Sequence, residues 1–147
     1  MFEGMDSMSQ EEMVTHLNSR KLPFMHLLGG NVIGVDREAM TCSFEFDVPT
    51  DLCHSVDVVQ GGFVTAMLDA AMSHAVFALG DETILNVSSL EIKTNYFDVT
   101  RAGHMTCVGK IVKLAYKTVF QEATLYNDDG VMTANASSVA KLVRKKS

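Results

Sequence analysis

The chain has 147 residues, of which 47% are hydrophobic and 20% charged, with a formal net charge of −6. That length and composition suit one domain over 1–147 with a real core, and they exclude a disordered chain. The only dense basic cluster, Lys141, Arg144, Lys145 and Lys146, reads as a solvated tail, so no nucleic-acid partner is expected.

Residues 1–10 carry acidic residues and no basic segment before an apolar core, so no secretory signal is expected. The longest apolar stretch, 63–79, is interrupted by Asp69 and His74, so no membrane span is expected either and the protein is read as cytoplasmic. Cys42, Cys53 and Cys107 are odd in number, widely spaced and without zinc-type His/Cys spacing. They read as free buried thiols, with no metal and no cofactor implied.

Residues 9–20 read as a short amphipathic helix with Glu11 and Glu12 in its first turn and Met13, Leu17 and His16 turned inward. Pro23 is expected to end it, closing a helical extension over 1–22. Residues 31–35 suggest a strand and 36–38 a turn. A second strand alternates cleanly, with Met40, Cys42, Phe44, Phe46 and Val48 facing the core. Pro49 stops it, and 51–59 form a loop or short extended piece carrying His54 and Asp57.

The stretch 60–79 reads as one helix, opened by Gly61 and Gly62 and closed by Gly80. It is apolar almost all round and is expected to be buried on most sides. Asp69 is a lone carboxylate in its middle, costly there unless paired, hydrogen-bonded or put to use. The glycines leave backbone N–H groups open at the positive end of the helix dipole, which suits a negatively charged oxygen.

Strand signals dominate the remainder. Residues 83–96 set Ile84, Asn86, Ser88, Leu90, Ile92, Thr94 and Tyr96 on alternating positions. Arg101, Ala102 and Gly103 form a turn, 104–115 and 117–126 two strands, 127–130 a hairpin turn and 131–143 the last strand. The fold class is therefore α+β: a long central helix wrapped by a curved antiparallel sheet, with a short N-terminal helix. A single such sheet leaves edges that a dimer would cover.

Gln60-Gly61-Gly62 followed by Leu68-Asp69, the strand 89–97 with the turn 101–103, and the last hairpin at 130–134 resemble the PaaI-type hotdog-fold thioesterases over roughly 25–143. The resemblance implies a hotdog fold, a homodimer or dimer of dimers, and hydrolysis of an acyl-CoA or related thioester. It places the helix carboxylate on Asp69, the oxyanion-binding N–H on Gly61 with Gly62 beside it, and a water-holding hydroxyl on Ser89. A polar residue seven before the first glycine falls on His54. Gln60 stands where the family has His, and Val99 where it commonly has Pro.

The residues fit that chemistry, since hydrolysis needs oxyanion donors, a base or nucleophile, and a seat for water. Thr65 and Ser73, one turn either side of Asp69, are candidates to orient it. His74 reads as a structural histidine. Arg101, Lys113, Lys117 and the C-terminal cluster are candidate cations for the phosphates of coenzyme A. A ligand-binding hotdog protein without catalysis, and a dehydratase using His54, are the alternatives. Gly61 and Asp69 are eight residues apart, about 12 Å along one helix, so one substrate meets both most simply if they come from two antiparallel helices.

Overall fold

A computed structural model describes residues 4–146; the first three residues of the expected extension, and Ser147, lie outside the described residues. The elements are α1 (Gln10–Ser19), α2 (Pro23–Leu28), β1 (Gly30–Asp36), β2 (Thr41–Val48), β3 (Cys53–His54), β4 (Val58–Val59), α3 (Gly61–Phe77), β5 (Ile84–Tyr96), β6 (Gly103–Leu114), β7 (Thr118–Asn127) and β8 (Met132–Arg144). Six strands form one antiparallel sheet in the order β1-β2-β6-β7-β8-β5. The sheet holds α3 against its inner face, while β3 and β4 pair separately in the loop before α3.

Ser9 caps α1 through a reciprocal pair of bonds with Glu12, and Met13 and Leu17 are buried. Pro23 does not end this helix. Helix α1 stops at Ser19, and Pro23 occupies the first turn of α2, where its missing N–H costs nothing. Arg37 ties the N-terminal segment to the end of α3: its guanidinium donates to the carbonyls of Met5 (2.8 Å), Met8 (2.6 Å) and Ala78 (3.1 Å).

Strand β2 follows its alternation, and Cys42, Phe44, Phe46 and Val48 are buried. Strand β5 does not. Bulges at Leu85 and Leu90 each add one residue against β8 and shift the inward set. Ile84, Val87, Ser89, Ile92, Thr94 and Tyr96 therefore face α3, whereas Leu85 and Leu90 are 43% and 62% exposed. Cys42 and Cys107 are buried free thiols. Desolvation pushes the Cys42 pKa up to about 12 and raises that of Cys107 as well. Cys53, expected to be buried, is only half-buried.

The helix backbone lies directly on β6 because that strand carries Gly109. A Cβ built there would stand 2.0 Å from the carbonyl oxygen of Ala71. Gln121 on β7 reaches up to donate to the Met72 carbonyl beside it. Gly109→Ala should consequently lower stability by about 2–3 kcal/mol, because backbone rather than a flexible side chain would have to move. Urea unfolding would check this, and a midpoint equal to wild type would show that α3 does not sit this close.

At the far end of β6, His104 bonds Asp128 (2.5 Å) and Glu45 (3.3 Å), joining β2 to the hairpin that Gly130 closes at φ 75°. The Asp128 bond, then the Glu45 bond, raise the His104 pKa. Because the folded pKa is raised, the stabilising contribution is complete below the ordinary imidazole value of about 6.5. It is lost as pH rises through the higher folded value. An NMR titration should find the His104 midpoint above that value and see it fall back in Asp128→Asn; equal midpoints would refute the pairing.

Candidate functional site

The entry to α3 is held from three sides. The Gln60 N–H donates to the Leu52 carbonyl (3.0 Å), the Val59 N–H to the Thr100 carbonyl (2.8 Å), and Arg101 pairs with Asp57 (2.6 Å). Arg101 is thus already engaged with an acid. Gln60 is the N-cap: its backbone is extended (φ −62°, ψ 136°) and its side-chain oxygen accepts from the Gly62 N–H at 2.8 Å. Its backbone carbonyl accepts from Phe63 and Val64. Of the N–H groups in this first turn, that of Gly61 has no acceptor among the described residues. The site residues at the helix start therefore divide: Gly62 is satisfied within the chain, and Gly61 is open to a ligand oxygen.

Two turns further on, half-buried Asp69 accepts a hydrogen bond from Ser89 on β5 at 2.9 Å. The bulge at Leu85 moves the inward set to Val87 and Ser89, and the one at Leu90 returns it to Ile92, so Ser89 and Asp69 meet although twenty residues separate them. Thr65 is turned elsewhere, its hydroxyl bonding Thr94 (2.9 Å) and Tyr96 (2.9 Å). Tyr96 in turn donates to the Gly61 carbonyl (2.7 Å). Thr94 and Tyr96 were not singled out from sequence. Their signal is the alternation of Ile92, Thr94 and Tyr96 on one face, already present in the sequence; that Ser89 shares this face becomes visible only with the bulges.

Ser73 is half-buried and bonds neither Asp69 nor Ser89 among the described residues. His54, exposed on β3, shares a bond with Ser55 (3.1 Å) and has no carboxylate partner among the described residues, as a dehydratase pairing would require. His74 is structural: its Nδ1 donates to the Ala70 carbonyl (2.8 Å), its ring meets Phe44 and Phe77 edge-on, and burial lowers its pKa. Beyond it a largely apolar cavity of about 70 Å³ opens between α1, α2 and the end of α3, lined by Leu17, Phe24, Met25, His16, His74 and Phe77 among others. Phe77 lies eight residues past Asp69, and Ser73 stands midway between them.

Among the described residues no helix is long and apolar enough to cross a membrane. A family model described as the thioesterase superfamily matches residues 57–134, a span that runs from the loop before α3 into β8 and takes in Gly61, Asp69 and Ser89. Among solved structures, a phenylacetic acid degradation-related protein of Ralstonia eutropha JMP134 superposes with a TM-score of 0.78 at 22% identity, over 86% of this chain and 96% of that one. The Escherichia coli PaaI protein of the phenylacetic acid degradation operon gives 0.78 at 14% identity, over 92% and 96%. A Haemophilus influenzae thioesterase gives 0.77 at 16%, over 93% and 92%. These similarities establish the hotdog-type fold. No curated protein sequence matches the chain significantly.

Proposed function

Because this chain belongs to the thioesterase superfamily and is a thioester hydrolase, we propose that it cleaves an acyl-CoA to the free acid and coenzyme A, in a site shared between two copies of the chain. The observation that carries this reading is the pairing of an open Gly61 N–H with an Asp69 carboxylate held by Ser89. Eight residues of helix, about 12 Å, separate the two groups in one copy. Two antiparallel α3 helices would bring Gly61 of one to Asp69 of the other, giving two equivalent sites per homodimer. The homodimer could pair again into a tetramer. The long edge strand β5, which among the described residues pairs with β8 alone, supports such pairing.

In this reading Asp69 acts as general base toward water, or as nucleophile, and Ser89 orients its carboxylate. Negative charge then develops on the thioester oxygen, where the Gly61 N–H meets it at the positive end of the α3 dipole. Collapse of the tetrahedral species expels the thiolate. Gln60 holds the Gly62 N–H with its oxygen and keeps its amide nitrogen for substrate. Thr65 shapes the helix start, and His54 lies on the approach to it. The whole chain, 1–147, acts as one hotdog domain with 1–22 as its N-terminal extension, in the cytoplasm.

The acyl group is directed over Ser73 toward the cavity behind Phe77. That cavity is about 12 Å along the helix from Asp69, beyond the reach of an acetyl group. A thiol-release assay over acyl-CoAs of increasing length, with aryl-CoAs included, should show kcat/KM rising by up to about fourfold per methylene once the chain enters the cavity. Equal values for acetyl and longer chains would remove the cavity from the reading. Absence of thiol release from every acyl-CoA would remove coenzyme A esters as the substrate.

A further inference from the structure

We propose that Tyr96 is a positioning residue that fixes the peptide on which the oxyanion donor depends; the inference rests on the assignment of Gly61 above. Four atoms form a chain with only one possible direction. The Gly61 carbonyl can only accept, so the Tyr96 hydroxyl must donate to it (2.7 Å). With its proton committed, the Tyr96 oxygen accepts from Thr65 (2.9 Å), and the Thr65 oxygen in turn accepts from Thr94 (2.9 Å). Three hydroxyls from β5 and α3 thus point in series at one helix carbonyl. Hydrogen bonds in series polarise one another.

The peptide they hold is clamped at both ends. Its C=O, on Gly61, accepts a hydrogen bond from the Tyr96 hydroxyl, and its N–H, on Gly62, donates to the Gln60 side chain at 2.8 Å. The Gly61 N–H itself belongs to the preceding 60–61 peptide, whose C=O accepts from Phe63 (2.9 Å) and Val64 (3.3 Å). With the 61–62 plane clamped as well, both planes that meet at the Gly61 Cα are held, and the Tyr96 bond fixes the second of them. Contact is close here: a Cβ on Gly61 would lie 3.2 Å from the Tyr96 oxygen. A helical threonine ordinarily has another option, turning its hydroxyl back to the carbonyl four residues earlier, which for Thr65 is that of Gly61. Here the phenol occupies that carbonyl from outside the helix, so the aim of the donor is tied to β5. The same strand carries Ser89, which holds Asp69. One strand therefore sets the direction of both the donor and the carboxylate of its own chain.

Tyr96→Phe should lower kcat by between about tenfold and about 10²-fold, the scale for a small misplacement of a reacting group. KM should stay constant, because the lost interaction is made in the transition state. Thermal stability should be unchanged, since the ring is 54% exposed, while the Gly61 amide signal in a ¹⁵N–¹H spectrum should move. Thr65→Val should be milder and Thr65→Ser near wild type. Tyr96→Phe combined with Thr65→Val should be worse than Tyr96→Phe alone, because Thr65 can no longer turn back to the vacated carbonyl. Wild-type kcat in Tyr96→Phe, or a fall matched by an equal loss of stability, overturns the proposal. The underlying reading fails separately, through an active Asp69→Asn, and the Gly61 amide signal tests the clamp without any turnover.

Discussion

Asp69→Asn is expected to cut kcat by at least ~10²-fold while the protein folds as wild type, the scale for removing a general base. The substitution is clean for structural reasons. Asn has the shape of Asp and nearly the same helix propensity. Its amide oxygen can still accept from the Ser89 hydroxyl, the bond that ties mid-helix to β5. What disappears is the negative charge, and with it the capacity to take a proton from water or to attack the thioester. Stability and ligand binding should survive. Circular dichroism, urea unfolding and binding of a non-hydrolysable thioether analogue would establish that, with thiol release reporting the chemistry. A variant hydrolysing at close to the wild-type rate would make Asp69 structural. A variant that does not fold would show the carboxylate to be a fastening of α3. Ser89→Ala should fall between wild type and Asp69→Asn, because it unfixes the carboxylate without removing it.

The parts legible in the sequence are those in which local pattern and tertiary environment agree. Strand β2 buries alternate residues because its own register with β6 runs unbroken and the irregularity beside it, at Ile33, adds its extra residue to β1, so the period-two pattern of β2 survives into the fold. The hairpin at Asn127 was legible because the side chain organises its own turn, accepting from the N–H groups of Asp129 and Val131. Helix α3 was legible from its glycines and its apolar length. Strand β5 was not, because a bulge adds a residue with no compositional mark. The alternation of 84–96 looks continuous, yet Asn86, Ser88 and Leu90 turn outward, and Val87 and Ser89 turn in. The Tyr96 bond to Gly61 spans 35 residues, and the Arg37 bonds to Met5, Met8 and Ala78 join three segments. Contacts of that kind exist only once the sheet has brought its strands together. Gly109 was a glycine in an otherwise ordinary strand until the helix backbone was found lying on it.

Mixing two inactive variants should restore thioester hydrolysis, if each site draws on two chains. Gly61→Pro removes the open N–H, and the local geometry makes it a fair test. Gly61 is the first helical residue, where proline is favoured, and Gln60 before it already has the extended backbone (φ −62°, ψ 136°) that a residue preceding proline requires. The three atoms nearest a Cβ added at Gly61 all belong to the half-exposed side chain of Tyr96, the nearest at 3.2 Å. As homodimers, Gly61→Pro lacks a donor in both sites and Asp69→Asn lacks a carboxylate in both. In a heterodimer one site would combine the intact Gly61 of the Asp69→Asn chain with the intact Asp69 of the Gly61→Pro chain, while the other site would inherit both lesions. Activity should return to about half of the wild-type value per heterodimer, as two-fold symmetry dictates. Were donor and carboxylate supplied by the same chain, every site would carry one lesion and no mixture could recover. Native mass spectrometry would count the heterodimers, and refolding the variants together would form them. Abundant heterodimers with no regained thiol release would place both groups in a single chain. The roughly 12 Å of helix between them would then have to be bridged by the substrate itself.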